Sequence, residues 1–257
     1  MFKQVCLLTR RPGMSMEEFK DYYENVHAPL LATMMPQARR YVRRFVQPEG
    51  NPLAGSMPEV PFDCLMELWW DSREEFEACM ASLGEGDSFQ KIYEDEEKIF
   101  ASHDNPVFSV EEIESPMRGF EDTPALDGLR QCNGEEGILK LVFLLKRKPG
   151  MSIEEYHEYY QNRHRLLGEK AMAGAQRYVR RHVVPEKNPI TGEAIELPFD
   201  TVMEIWWDSR SDWDAMQAEI AENGLGQEIY ADEENIFASH DNPVFTVEEA
   251  DSPMRGW

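Results

Sequence analysis

The chain has 257 residues, a length that allows one large domain or two small ones at about 100 to 200 residues per domain. Its 26 Lys and Arg against 49 Asp and Glu leave a formal charge of −23, which a nucleic-acid backbone or an anionic membrane surface would repel. With 42% hydrophobic residues and 6 Trp the chain can bury a core, so its acidity does not signify disorder.

The opening, MFKQVCLLTRRPG, sets apolar residues before basic ones, the reverse of a signal peptide, and no apolar run approaches the roughly 18 residues of a membrane span. Residence in the cytoplasm is therefore expected. Lys3–Arg10 reads as a short strand ended by Arg11-Pro12-Gly13, and Ser15 followed by Glu17 and Glu18 marks a helix start. Met16, Phe19, Tyr23, Val26 and Leu30 recur at three and four residues and predict one apolar helical face. Arg40–Gln47 and Phe62–Asp71 alternate as strands around a loop rich in Pro, Gly and Asn. Ser72–Leu83 and Phe89–Ser102 read as helices and Val107–Glu112 as a last strand, giving the order βαββαβ.

The pattern then recurs. RPGMSMEEF at Arg11 meets KPGMSIEEY at Lys148, and IFASHDNPVFSVEE at Ile99 meets IFASHDNPVFTVEE at Ile236. Residues 2–120 pair with 139–257 without a gap, and more than half of the paired positions are identical. Two copies are too few for a solenoid. We expect a first unit at 1–120, a polar linker at 121–137 and a second unit at 138–257. Of the four cysteines, Cys6, Cys64, Cys79 and Cys132, none forms a CxxC pair, and Phe143, Thr201 and Met216 stand opposite the first three. A disulfide framework or structural zinc is not expected.

The βαββαβ order is the ferredoxin-like split-βαβ unit. Such a sheet carries both helices on one face and leaves the other open, so two units are expected to pack sheet to sheet. The expected fold class is α+β, a barrel with helices outside and a central cavity or one cavity per half.

Tyr22-Tyr23 with His27-Ala28-Pro29-Leu30, then Arg40-Tyr41-Val42, Phe62-Asp63 with Glu67 and Trp69, and Asp95-Glu96 before Phe100 resemble the EthD family of dimeric α+β barrel proteins. The second copy repeats this as Tyr159-Tyr160, His164, Arg177-Tyr178-Val179, Phe199-Asp200, Glu204, Trp206, Asp232-Glu233 and Phe237. Barrels similar to this family include polyketide cyclases, decarboxylases or dehydratases of anthraquinone pathways, lactone isomerases and cofactor-free monooxygenases. The copies differ in two places: His164-Arg165-Leu166-Leu167 replaces the HAPL turn, and His182, where the family often has His, faces Phe45 in the first copy. Two cavities, one per half, would not be equivalent.

Candidate chemistry centres on histidine. His27 and His164 adjoin the apolar helical stripe, where an imidazole serves either as a general acid or base near pH 7 or as a packed, hydrogen-bonded ring. His103 and His240 lie in SHDNP before the last strand, at an element end suited to catalysis or to bracing an Asx-type turn made by Asp104 or Asn105. His182 is a further catalytic candidate. On the third strand, alternation sends Cys64, Met66, Leu68 and Trp70 to the helices and turns Glu67 and Trp69 inward, as it does Glu204 and Trp206. Each Glu is either a proton carrier or the partner of Arg43 or Arg180, which alternate with Tyr41 and Tyr178.

No HxH, HExxH or other compact ligand spacing joins the six histidines, and GxGxxG, P-loop, GxSxG and kinase motifs are absent, so no metal or other cofactor is expected. The resemblance then implies a cofactor-independent lyase or isomerase acting by proton transfer on a small hydrophobic, ring-containing carbonyl or phenolic compound. Tyr41, Tyr178, Arg43 and Arg180 would hold enolate or carboxylate charge, with Glu67, Trp69, Glu204 and Trp206 also in the binding site. The alternatives are a cofactor-free or haem-assisted monooxygenase and a non-catalytic binder. Expected partners are the small substrate and the other half of the chain as a pseudo-dimer, further homo-oligomerisation being open, with neither nucleic acid nor membrane.

Overall fold

The computed structural model describes residues 1–48, 60–118, 138–188, 192 and 197–254. The proposed linker, Cys132 and most of the loop between the second and third strands lie outside the described residues. The first repeat runs β1 (Phe2–Leu8), α1 (Met16–Tyr22), a π turn (Tyr23–His27), α2 (Ala28–Met34), β2 (Arg40–Pro48), β3 (Cys64–Trp70), α3 (Arg73–Leu83), α4 (Ser88–Ile99) and β4 (Val107–Glu114). The second runs β5 (Leu139–Leu145), α5 (Ile153–Tyr159), a π turn (Tyr160–His164), α6 (Arg165–Ala171), β6 (Arg177–Pro185), β7 (Thr201–Trp207), α7 (Arg210–Glu222), α8 (Leu225–Ile236) and β8 (Val244–Pro253).

Local chemistry accounts for the helix starts. Ser15 and Glu18 form a reciprocal capping box at α1, as do Ser152 and Glu155 at α5, which satisfies two otherwise unpaired backbone donors at each helix start. Gly13 and Gly150, at φ of 87° and 86°, make the left-handed turns that lead into them.

The first helix departs from its predicted face. Phe19 and Tyr23 are buried, but Val26 is 44% exposed, and the inward positions after the π turn are His27, Ala28, Leu31 and Met35. A π turn carries one extra residue, which rotates the downstream stripe by one position. The periodicity that selects Val26 and Leu30 assumes an uninterrupted α-helix.

The strands close into one antiparallel barrel in the order β1-β3-β2-β8-β5-β7-β6-β4. The repeats join edge to edge: β2 pairs with β8 from Arg40↔Pro253 to Pro48↔Phe245, and β4 with β6 from Phe108↔Pro185 to Glu114↔Val179. Closure leaves no free sheet edge in the barrel. Three apolar clusters result, one between each half-sheet and its helices and a third inside the barrel that includes Val5, Leu65, Phe108, Val142, Val202 and Phe245.

The described residues place an apolar cluster and ion pairs inside the barrel, and of the two expected arrangements, a central cavity or one per half, a cavity in one half is described below. Beside the apolar cluster lies a buried ionic network with near two-fold symmetry. Arg44 pairs with Glu67 (2.5 Å) and Glu249 (2.9 Å), and Arg181 pairs with Glu204 and with Glu112 (2.8 Å). Lys3 meets Glu112 at 2.6 Å, Lys140 meets Glu249 at 2.7 Å, and crossing contacts link Arg44 to Glu204 (3.4 Å) and Arg181 to Glu67 (3.8 Å). Burial acts to raise the Glu67 and Glu204 carboxyls, but the two guanidiniums outweigh it and hold both well below the ordinary carboxylate range. Glu67 is thus an anchored anion. Its partner is Arg44 rather than Arg43, because strand register sets Glu67 opposite Val42, while Tyr41, Arg43 and Phe45 turn to the helices; Arg181 replaces Arg180 for the same reason.

Candidate functional site

A cavity of about 500 Å³ lies outside the barrel, between the second half-sheet and helices α6, α7 and α8. Its walls are largely apolar, with Phe143, Leu145, Met203, Trp213 and Ile220 prominent, and its polar groups include His164, Tyr178, Glu233 and His240. Small residues make the room. Gly168, Ala171 and Gly226 line it where the first repeat carries Leu31, Met34 and Phe89, and Leu31 and Met34 pack into the first core. Gly168 also lets the Tyr178 ring approach, since a Cβ there would stand 2.8 Å from its hydroxyl and the ring would have to shift.

His164 closes the π turn, and its Nδ1 lies 2.9 Å from Asp232 Oδ2, while the Tyr159 hydroxyl donates to Asp232 Oδ1 at 2.7 Å. The hydrogen bond from His164, ahead of the opposing effect of burial, holds the Asp232 carboxyl below its ordinary value. His240 Nδ1 lies 2.9 Å from Glu233 Oε2, and its ring stacks on Tyr230 with centroids 3.6 Å apart. Consecutive residues of an α-helix point about 100° apart, so the Asp232-Glu233 pair on α8 serves one imidazole on each side. A carboxylate accepting from Nδ1–H fixes the tautomer in which Nε2 is the basic nitrogen. Among the described residues neither Nε2 has a protein hydrogen-bond partner.

The first half repeats both pairs. His27 Nδ1 lies 2.8 Å from Asp95 Oδ2, and Tyr22 donates to Asp95 Oδ1 at 2.6 Å, its phenol pushed up to about 12 by burial and by that carboxylate. His103 lies 3.0 Å from Glu96, stacked on Tyr93 at 3.7 Å, and burial raises the Glu96 carboxyl. The SHDNP turn is closed by Ser102 Oγ, which accepts from Asp104 N–H, and by Asn105, which donates to the Ser102 carbonyl; Asn188 of the second repeat donates to the carbonyls of His103 and Asn105. The histidine of that turn is thus engaged by α4 and takes no part in closing it.

The cavity therefore joins three of the residues singled out by sequence, His164, His240 and Tyr178, with His27, His103 and Tyr41 at the equivalent first-half positions. Others sit elsewhere. Glu67, Trp69, Glu204 and Trp206 belong to the ionic network on the opposite side of the sheet and do not line this cavity. Each indole donates to its neighbouring Glu and lies under a cation, Lys3 at 3.8 Å from Trp69 and Lys140 at 3.7 Å from Trp206, with Arg40 and Arg177 also over the rings. Those cations occupy ring surface that stacking on a flat ligand would need. His182 likewise lies off the cavity wall, with Nδ1 2.9 Å from Thr201 Oγ1 and Nε2 3.1 Å from the Gln161 amide, and burial lowers it to about 3, so the ring is neutral. Arg43 is held by Glu24, the Tyr41 carbonyl and Ser252, whereas Arg180 contacts Ser115 at 2.7 Å. The orienting residues Asp232, Glu233, Tyr159 and Tyr230 were missed as site residues; the duplicated Asp-Glu motif, seven residues before SHDNP's histidine, was their available signal. Among the described residues no three His, Cys, Asp or Glu side chains converge as a metal site, and no helix is long and apolar enough to cross a membrane.

The EthD domain profile matches residues 11–103 and 148–240, one match in each repeat. The chain belongs to the EthD family. No curated protein matches this EthD sequence. Among solved structures it is similar to an anthrone oxidase-like protein (12% identity, 97% of this chain and 92% of that one, TM-score 0.55). It is also similar to a putative monooxygenase from Fusobacterium nucleatum subsp. nucleatum ATCC 25586 (6% identity, 96% and 91%, TM-score 0.50). Both likenesses concern the EthD protein's barrel fold.

Proposed function

We propose that this EthD protein is an enzyme that moves protons on a small, apolar, ring-containing carbonyl or phenolic compound held in the second-half cavity. The observation that carries this reading is the convergence of two carboxylate-oriented imidazoles, His164 and His240, on one largely apolar chamber. His164 is the deeper, with 9% side-chain exposure against 26% for His240. His164 Nε2 accepts a proton from carbon beside a carbonyl or from a phenol, Asp232 stabilises the imidazolium, and His240 exchanges protons with solvent at the mouth. Decarboxylation, dehydration, cyclisation and isomerisation can all begin or end with such a step.

A second reading is cofactor-free oxygenation, which starts from the same deprotonated ring and is favoured by the names of the two structural relatives. Proton exchange at the α-carbon of 2-tetralone in deuterium oxide, followed by NMR, tests the shared step. The expected result is acceleration over buffer that falls about 100-fold or more in H164Q, the usual scale for loss of a general base; no acceleration contradicts the proposal. Oxygen consumption during turnover of anthrone would select the oxygenase reading over the lyase or isomerase one.

A further inference from the structure

The two repeats treat one arginine differently. In the first, Glu24 grips Arg43 with both carboxylate oxygens, on Nε at 2.9 Å and on Nη2, and Ser252 accepts from Nη1 at 2.8 Å. In the second, Ser115 accepts from Arg180 Nη1 at 2.7 Å, but the position of Glu24 is occupied by Gln161. Gln161 is turned instead to His182, the residue that replaces Phe45. Consequently Nε and Nη2 of Arg180, the same two atoms that Glu24 holds on Arg43, have no hydrogen-bond partner, although Arg180 is 0% exposed. Among the described residues no ion pair involves Arg180. Glu169, a carboxylate felt at Tyr178, is engaged by Arg165 at 2.7 Å.

A buried guanidinium without a counter-ion is costly, and the first repeat shows how this fold removes the cost with one glutamate. The uncompensated charge adjoins the cavity wall: Arg180 lies over the Tyr178 ring, 4.6 Å from its centroid, and Tyr178 lines the chamber. Of the carboxylates that line the cavity, Glu233 is committed to His240, and Asp241 sits in the turn after α8, its N–H donating to Ser239 Oγ; Asp232, off the lining, is committed to His164. We infer that the second-half cavity selects an anionic ligand, a carboxylate, phenolate or enolate, whose negative oxygen accepts from the Tyr178 hydroxyl and whose countercharge is Arg180. Arg180 is a positioning residue here, acting through Tyr178. Burial pushes the Tyr178 phenol up while Arg180 pulls against that rise, the direction that strengthens Tyr178 as a donor. The first half, with Arg43 neutralised by Glu24, carries no such preference.

This inference rests on the proposed use of the cavity, and a pair of isosteric probes separates the two. Binding of 2-naphthoate and 2-naphthamide to the full chain is measured by calorimetry in the wild type, Q161E and R180Q. Q161E installs the counter-ion that the first repeat already accommodates, so it serves as a folded control for R180Q. The expected result is naphthoate binding at least tenfold tighter than naphthamide in the wild type. Q161E and R180Q should both erase that preference while naphthamide affinity stays within about twofold, whereas a purely structural role for Arg180 would move both probes together. Equal affinities in the wild type, or a preference that survives both substitutions, would overturn the anion assignment and leave the cavity reading standing. Failure of both probes to bind at all would overturn both.

Discussion

At the residue scale the proposed site is a set of histidines that differ in their surroundings. His164 and His240 have carboxylates on Nδ1 and line the cavity, whereas His182 is buried among Thr201, Gln161 and His157 and is held neutral. Its folded value, lowered to about 3 from 6.5 by burial, means that the unfolded chain binds the extra proton first. Stability therefore falls as pH drops from 6.5 toward 3. H182F, which restores the first-repeat residue, should flatten that dependence, seen as a smaller change in urea midpoint between pH 7 and pH 5 than in the wild type; an unchanged slope would place the titration elsewhere. The four paired histidines were legible because their surroundings are duplicated. Their partners were less so, since Asp232 and Glu233 become a shared orienting pair only when α8 and the turn after it fold back on the cavity. The arginine partner of Glu67 was misplaced by one residue because Arg43-Arg44 and Arg180-Arg181 are doublets, which satisfy strand alternation in either frame.

At the element scale the π turns determine what the helices present to the sheet. By shifting the inward stripe one position, the second π turn turns Gly168 toward Tyr178, where periodicity alone favours Leu167. No local residue signal marks such an insertion, so the helix was legible and its inner face only as far as Tyr23 or Tyr160. Gly168 and Ala171 then open the space that Leu31 and Met34 occupy in the other half. Replacing both with their first-repeat counterparts, G168L with A171M, should fill the cavity and weaken 2-tetralone binding more than tenfold. The fold should persist once the Tyr178 ring shifts from the added side chain, because the first repeat holds Leu31, Met34 and Tyr41 in one core. Undiminished binding measured by calorimetry would show that the ligand lies elsewhere.

At the scale of the whole molecule, closure of the barrel makes the two repeats interdependent. Strand pairing and charge pairing both cross between them: Arg181 of the second repeat reaches Glu112 and Glu67 of the first, and Arg44 reaches Glu249 and Glu204. Removing one partner from a buried network leaves an uncompensated charge, which typically costs about 3–5 kcal/mol. E67Q should lower stability by that order in urea unfolding, and a loss below about 1 kcal/mol would show that the network relaxes around the gap. Because Glu67 and Glu204 are held below the ordinary value of 4.5, the stability they contribute is present above it and lost as pH falls further. The duplication and the βαββαβ order made this architecture readable. The ionic network was not, because an ionic core and a ligand chamber both present inward-facing Glu, Arg and Trp.

The ionic network spans both halves, while the proposed reaction belongs to one. Comparing H27Q with H164Q in the tetralone exchange measurement addresses this most directly, since the two histidines have the same Asp and Tyr partners and differ in the space beside them. The account predicts that H164Q loses the acceleration while folded H27Q retains it within about twofold, below the tenfold that 1.4 kcal/mol represents. Equal losses in both variants, or a loss confined to H27Q, would contradict it.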